Sequence, residues 1–229
     1  MGWKRNEALD EAETALIAAA NSVRGSLEAE LESLRRSDPH SAKRFLASWN
    51  PNWAKKYLHN AEAKVRKWRR FFPHLAGVRQ AYEIGVGPGY LFRLLMDVYG
   101  VQLSGCDVEP GHTLVFEALR QELGIAHLVE THRVRPRREI PITEGSEAML
   151  AFLTSFCETY SVADYRWLLD HCRERLSGDK QVLILFNARC FEVDGVQQFF
   201  QRNAEFPLLG EHQAASKPHA AAFCRVRLA

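Results

Sequence analysis

"YEIGVGPGY", residues 82–90, sets an acid and three alternating glycines directly behind an apolar, strand-like start. Upstream, "RQAYEIGVG" reads as a strand; downstream, "YLFRLLMDVYG" reads as a helix closed by Gly100. A glycine loop between strand and helix can turn sharply and lets a ligand approach without a Cβ in the way. The helix behind it offers free N–H groups and positive potential at its N-terminus.

The same alternation continues. "VQLSGCDVEP" is a second strand, "HTLVFEALRQELG" a helix, and "AHLVETHRV" a third strand. "EAMLAFLTSF" is a fourth, "ADYRWLLDHCRERLSG" a helix ended by Gly178, and "KQVLILFNA" a fifth. Strands alternating with helices predict an α/β fold, a doubly wound, mostly parallel sheet with helices on both faces. The tail differs: a short helix near "GVQQFFQR", then "AEFPLLGEH" and "AAAFCRVRL" with no helix between them, predicts a closing antiparallel C-terminal hairpin.

In such a sheet a ligand sits beyond the carboxyl ends of the strands, where strand order reverses. A phosphate-binding P-loop needs Lys-Ser/Thr after its last glycine, and Tyr90-Leu91 stand there instead. A nicotinamide fingerprint counted from Gly85 demands a small residue at position 90, which Tyr90 denies. A structural turn alone leaves Glu83 at the end of a buried strand unexplained. That carboxylate suits a guest with a positive charge or hydrogen-bond donors. Asp107, at the end of the second strand, can accept from both hydroxyls of a ribose. A ribose, a cationic amino-acid end and no pyrophosphate describe S-adenosyl-L-methionine.

The chain here resembles the class I S-adenosylmethionine-dependent methyltransferases, over roughly residues 78–190. "EIGVGPG" matches that family's first motif, and Asp107 in "LSGCDVEP" matches its acid after the second strand. The resemblance implies that Glu83, Gly85, Val86, Gly87 and Gly89 hold the methionine part, that Asp107 holds the ribose and that Val108 lies beside the adenine. It places Phe156, in "TSFCE", against the methionine end. The family's acid near the end of the third strand is missing; Val134, Arg135 or Pro136 occupies that place, leaving adenine to backbone groups. For a catalytic base, Glu158 and Tyr160 are best placed after the fourth strand. Asp164 is equally a helix cap, His171 reads as a packed structural histidine, and His132 and His59 stay open; Asn187, at the end of the fifth strand, either orients substrate through its amide or serves a turn. No H-x-x-x-H or carboxylate cluster argues for a metal.

Residues 1–77 read as a helical extension or lid, and 78–229 as the methyltransferase domain. In the extension, Leu9, Ala12, Leu16, Ala19, Val23, Leu27, Leu31 and Leu34 recur at helical spacing, with Gly25 a possible break into two helices. The stripe either packs on its own domain or forms a dimer face. Asp38 and Pro39 then start a new helix. A second stripe, Phe45, Trp49, Trp53, Tyr57, Ala61, Val65, Trp68 and Phe72, is backed by Lys55, Lys56, Lys64, Arg66, Lys67, Arg69 and Arg70. Basic charge interleaved with tryptophan suits a polyanion, but a core stripe with a solvated face gives the same pattern.

The formal net charge of the 229 residues is +2, with 25% charged and 46% hydrophobic, so no polyanion binder follows from bulk charge. Five scattered cysteines without a C-x-x-C pair read as reduced thiols. No apolar run reaches the length of a membrane span, and the expected location is the cytoplasm. These readings lead to methyl transfer onto a small-molecule or glycan acceptor. The alternatives are an RNA methyltransferase using the basic helix 52–72, with nucleic acid disfavoured, and a non-catalytic cofactor-binding relative.

Overall fold

The computed structural model describes residues 7–49, 77–107, 113–132, 137–152, 160–186, 193–204 and 222–228. They fall into two compact units. One holds the N-terminal helices with residues 87–100 and 109–129; the other holds residues 77–86, 101–108 and 130–229.

In the first unit, α1 (Glu7–Ser37) runs unbroken for 31 residues. Gly25 does not divide it. The position is solvent-exposed and only its propensity cost of about 1 kcal/mol is felt. The buried stripe is Leu9, Ala12, Leu16, Ala20, Val23, Leu27 and Leu31; Ala20, one turn beyond Leu16, takes the place expected for Ala19, and Leu34 is half-buried. Burying a leucine or valine contributes roughly 1.5–3 kcal/mol, so this face anchors the helix. It packs against α2 (Pro39–Trp49), α3 (Tyr90–Tyr99) and α4 (Thr113–Glu122). Asp38 caps α2, its Oδ1 accepting from His40 N at 3.0 Å and Ser41 N at 3.2 Å, with Pro39 at the first position as expected. Gly100, at φ 63, closes α3.

The second unit is built on a six-stranded sheet of order β3-β2-β1-β4-β5-β6. Its strands are β1 (Gln80–Ile84), β2 (Gln102–Asp107), β3 (Val129–Thr131), β4 (Ala148–Phe152), β5 (Gln181–Phe186) and β6 (Ala222–Arg227). β1 pairs in parallel with β2 and β4, and β4 with β5; β6 closes antiparallel on β5. The α/β fold class and the antiparallel closure are as expected from the sequence. The "AEFPLLGEH" run lies outside the described residues.

One face of this sheet carries Tyr82, Ile84, Cys106, Met149, Ala151, Val182, Ile184, Cys224 and Val226. Tyr165, Leu168, Leu169 and Cys172 of α5 (Val162–Arg175) and Val196 and Phe200 of α6 (Val196–Asn203) complete that core. β3 is shorter than the sequence pattern predicts: Ala126–Leu128 form a 3-10 turn before it. The strand is an exposed edge, with little burial to extend it. Helix α5 stops at Arg175, and Leu176, not Gly178, caps it.

Candidate cofactor site

Parallel register places the two acids. Glu83 lies opposite Gly105 and Ile84 opposite Cys106, so Asp107 stands on the same sheet face as Glu83, one side-chain repeat nearer the carboxyl edge. Glu83 is 2% and Asp107 7% exposed, on the face opposite the α5–α6 core. Two carboxylates buried on one face are costly unless donors or cations meet them.

Gly105 explains why β1 and β2 can converge here. A Cβ at that position would lie 2.5 Å from Glu83 O and 2.8 Å from Val86 Cγ2. Just beyond Ile84, where the strand pairing ends, Gly85 N and Val86 N both donate to Cys106 O, at 2.8 and 3.3 Å. Those two amides therefore serve β2. His132 N donates to Asp107 O at 2.9 Å and fixes the strand end next to the second carboxylate.

In the first unit the loop continues into α3. Gly87 and Gly89 have φ 59 and 83, left-handed conformations that other residues adopt only with strain. Arg120 Nε donates to Gly87 O at 2.9 Å. Gly89 leaves room for Ile125, whose Cδ1 would lie 2.3 Å from an added Cβ. Tyr90, the residue that excludes a nicotinamide fingerprint, is fully buried at the first position of α3.

Gly105, Arg120 and Ile125 were not legible as site residues. An isolated glycine inside a buried strand is the one signal that marks the first of them. The other two depend on tertiary packing.

Other expected residues separate clearly. Val108, Phe156, Glu158, His59, Asn187, the Val134–Pro136 stretch and the basic helix 52–72 lie outside the described residues. Tyr160 is 1% exposed and belongs to the α5–α6 core, its ring 5.5 Å from that of Tyr165. Asp164 is the third residue of a capping box: its carboxylate accepts from Ser161 N at 2.9 Å and Ser161 Oγ at 2.6 Å, while its own N–H donates to Ser161 Oγ at 3.3 Å. The S-x-x-D pattern that announces this is present in the sequence at 161–164. His171 stacks on Trp167 with ring centroids 5.3 Å apart, and its Nε2 lies 3.1 Å from Ile140 O. Burial pushes the Cys106 thiol up to about 11, so it is no nucleophile at neutral pH.

No protein-family model matches the chain, and no curated protein does. Many solved structures match. The pyocyanin biosynthetic protein PhzM superimposes with a TM-score of 0.52 at 14% identity, over 80% of this chain and 61% of that one. The mitomycin 7-O-methyltransferase MmcR gives 0.49 at 16%, over 81% and 60%. An RNA methyltransferase from Salinibacter ruber, solved with S-adenosyl-L-homocysteine, gives 0.45 at 17%, over 71% and 90%. The chain spans about three fifths of the length of PhzM and MmcR. At these identities the likeness shows the fold alone: a Rossmann-like α/β sheet of order 3-2-1-4-5-6, closed by an antiparallel last strand.

Proposed function

We propose that the protein binds S-adenosyl-L-methionine and transfers its methyl group to a small-molecule or glycan acceptor. The observation that carries this reading is the pair of buried carboxylates, Glu83 and Asp107, on one sheet face at the carboxyl edge. Their chemistry fits the cofactor: Asp107 accepts from the two ribose hydroxyls, and Glu83 meets the ammonium end. Gly85, Val86, Gly87 and Gly89 supply a backbone track for the methionine part, with Val108 beside the adenine and Phe156 at the methyl end. The sulfonium supplies a reactive methyl group when bound, so the chain's task is alignment and electrostatics. Positioning of this kind is worth roughly 7–11 kcal/mol of barrier.

A hydroxyl acceptor also needs a base, worth on the order of 10²–10⁴-fold. Glu158 is the first choice. Tyr160 is the weaker choice, because its ring and its hydroxyl oxygen are both buried in the α5–α6 core. In this reading residues 1–77 are a helical extension or lid, residues 78–229 the catalytic domain, and the protein works in the cytoplasm. The modest net charge supports a small acceptor over nucleic acid.

Calorimetry with S-adenosylmethionine, S-adenosylhomocysteine and NAD tests the reading. S-adenosylhomocysteine should bind at micromolar levels and NAD should not. Asp107→Ala should weaken binding by about 1.5–3 kcal/mol, the loss of charge-assisted hydrogen bonds. Unchanged affinity in that variant would remove the ribose assignment.

A further inference from the structure

The Gly87–Pro88 peptide has a single polar handle. Proline has no N–H, so the carbonyl of Gly87 is the only group through which that peptide plane can be held by a hydrogen bond. Arg120 takes it, its Nε donating at 2.9 Å from the last turns of α4. The guanidinium is itself placed by Phe116, one turn earlier, whose ring centroid lies 5.6 Å from Arg120 Cζ. Two residues along the loop, Gly89 rests against Ile125, the residue that follows the turn closing α4. The loop thus has two supports from one stretch of chain: a charged donor on Gly87 and an apolar stop beneath Gly89.

We propose that Arg120 is a positioning residue for cofactor binding, holding the Gly87–Gly89 loop in its ligand-ready conformation before the ligand arrives. This rests on the cofactor reading above. A glycine-rich loop has the largest conformational freedom to lose, and ordering it at the moment of binding would subtract from affinity. A loop already fixed by Arg120 avoids that loss. The residue acts through the backbone it holds, so its removal weakens ligand binding without removing any group assigned to touch the ligand.

The test is a calorimetric titration of S-adenosylhomocysteine into the full chain as wild type, Arg120→Met and Arg120→Lys, with the melting temperature of each read with and without ligand. Met keeps the apolar stem over Phe116 and loses the donor; Lys keeps the charge and loses the Nε geometry. R120M is expected to bind about tenfold more weakly, the scale of one charge-assisted hydrogen bond, with its ligand-free melting temperature close to wild type. R120K should fall between the two. If R120M does not fold by circular dichroism, R120K against wild type decides on the same criterion. Equal affinity of the folded variant and wild type overturns the positioning role alone. A ligand-free melting temperature that drops in step with affinity, with no recovery in R120K, also overturns it, because it marks a merely structural contact. A wild-type chain that binds no S-adenosylhomocysteine overturns the cofactor reading itself and this role with it.

Discussion

Arg137 Nε donates to Asp164 Oδ1 at 3.0 Å, and that carboxylate also closes the capping box with Ser161. One acid therefore ties the chain after β3 to the start of α5. Arg137 holds this contact from a left-handed backbone, φ 58, a conformation that costs a non-glycine residue about 1–2 kcal/mol. The side chain stays 61% exposed, so this is a surface ion pair, worth about 0–1 kcal/mol.

The first prediction concerns this acid and pH. The hydrogen bond from the Ser161 hydroxyl, then the Ser161 backbone and Arg137, hold the Asp164 carboxyl below its usual range against an opposing effect of burial. A depressed native pKa contributes stability above the unfolded value, about 3.9, and loses it as pH falls through the native one. Asp164→Asn should therefore be less stable than wild type at pH 7, with the gap narrowing below about pH 4. Urea midpoints at pH 7 and pH 3.5 check it; an equal gap at both would mean that charge plays no part. Ser161→Ala should cost about 0.5–2 kcal/mol at neutral pH, as N-cap losses do.

Gly89 and Ile125 should behave as a coupled pair. Gly89→Ala adds a methyl at φ 83 and forces Ile125 Cδ1 aside, so a loss of about 1–3 kcal/mol is expected. Ile125→Val deletes that same methyl group and alone should cost about 0.5–1.5 kcal/mol. The double variant should lose less than the sum, since the clash is gone and only backbone strain remains. Strict additivity in denaturant titrations would show that the two do not meet.

Gly105 and Gly87 separate packing from ligand space. Gly105→Ala drives a methyl against the Glu83 carbonyl, which is backbone and cannot swing away; stability should fall by about 1–3 kcal/mol. Gly87→Val should leave a folded protein that no longer binds S-adenosylhomocysteine, because a branched side chain occupies the guest's space at φ 59. Circular dichroism and calorimetry on both variants distinguish the effects, and wild-type binding by a folded Gly87→Val protein would reduce the loop to a turn.

RNA affinity should be weak and should vanish near physiological salt, about 0.15 M, as a purely electrostatic contact does. Filter binding across a salt series measures it. Tight, sequence-dependent binding, lost when Lys64, Lys67 and Arg70 are neutralised together, would replace the small-molecule acceptor with RNA.

The sequence alone was enough for the alternating α/β order, the strand-to-helix position of the glycine loop and the two acids at strand ends. Those features are local: periodicity, glycine spacing and a helix-closing Gly100 are written in consecutive residues. The uninterrupted α1 was not legible, because the local cost of Gly25 is overridden by a buried stripe that only packing against α2, α3 and α4 creates. Nor was the short β3, whose apolar run has no buried face to extend it. That Glu83 and Asp107 share a face follows from strand register, which pairs residues 22 apart, Glu83 with Gly105. The supports of the loop, Arg120 on Gly87 and Ile125 beneath Gly89, come from residues over thirty positions away. Their roles depend on three-dimensional approach, for which a single chain of letters carries no periodic signal.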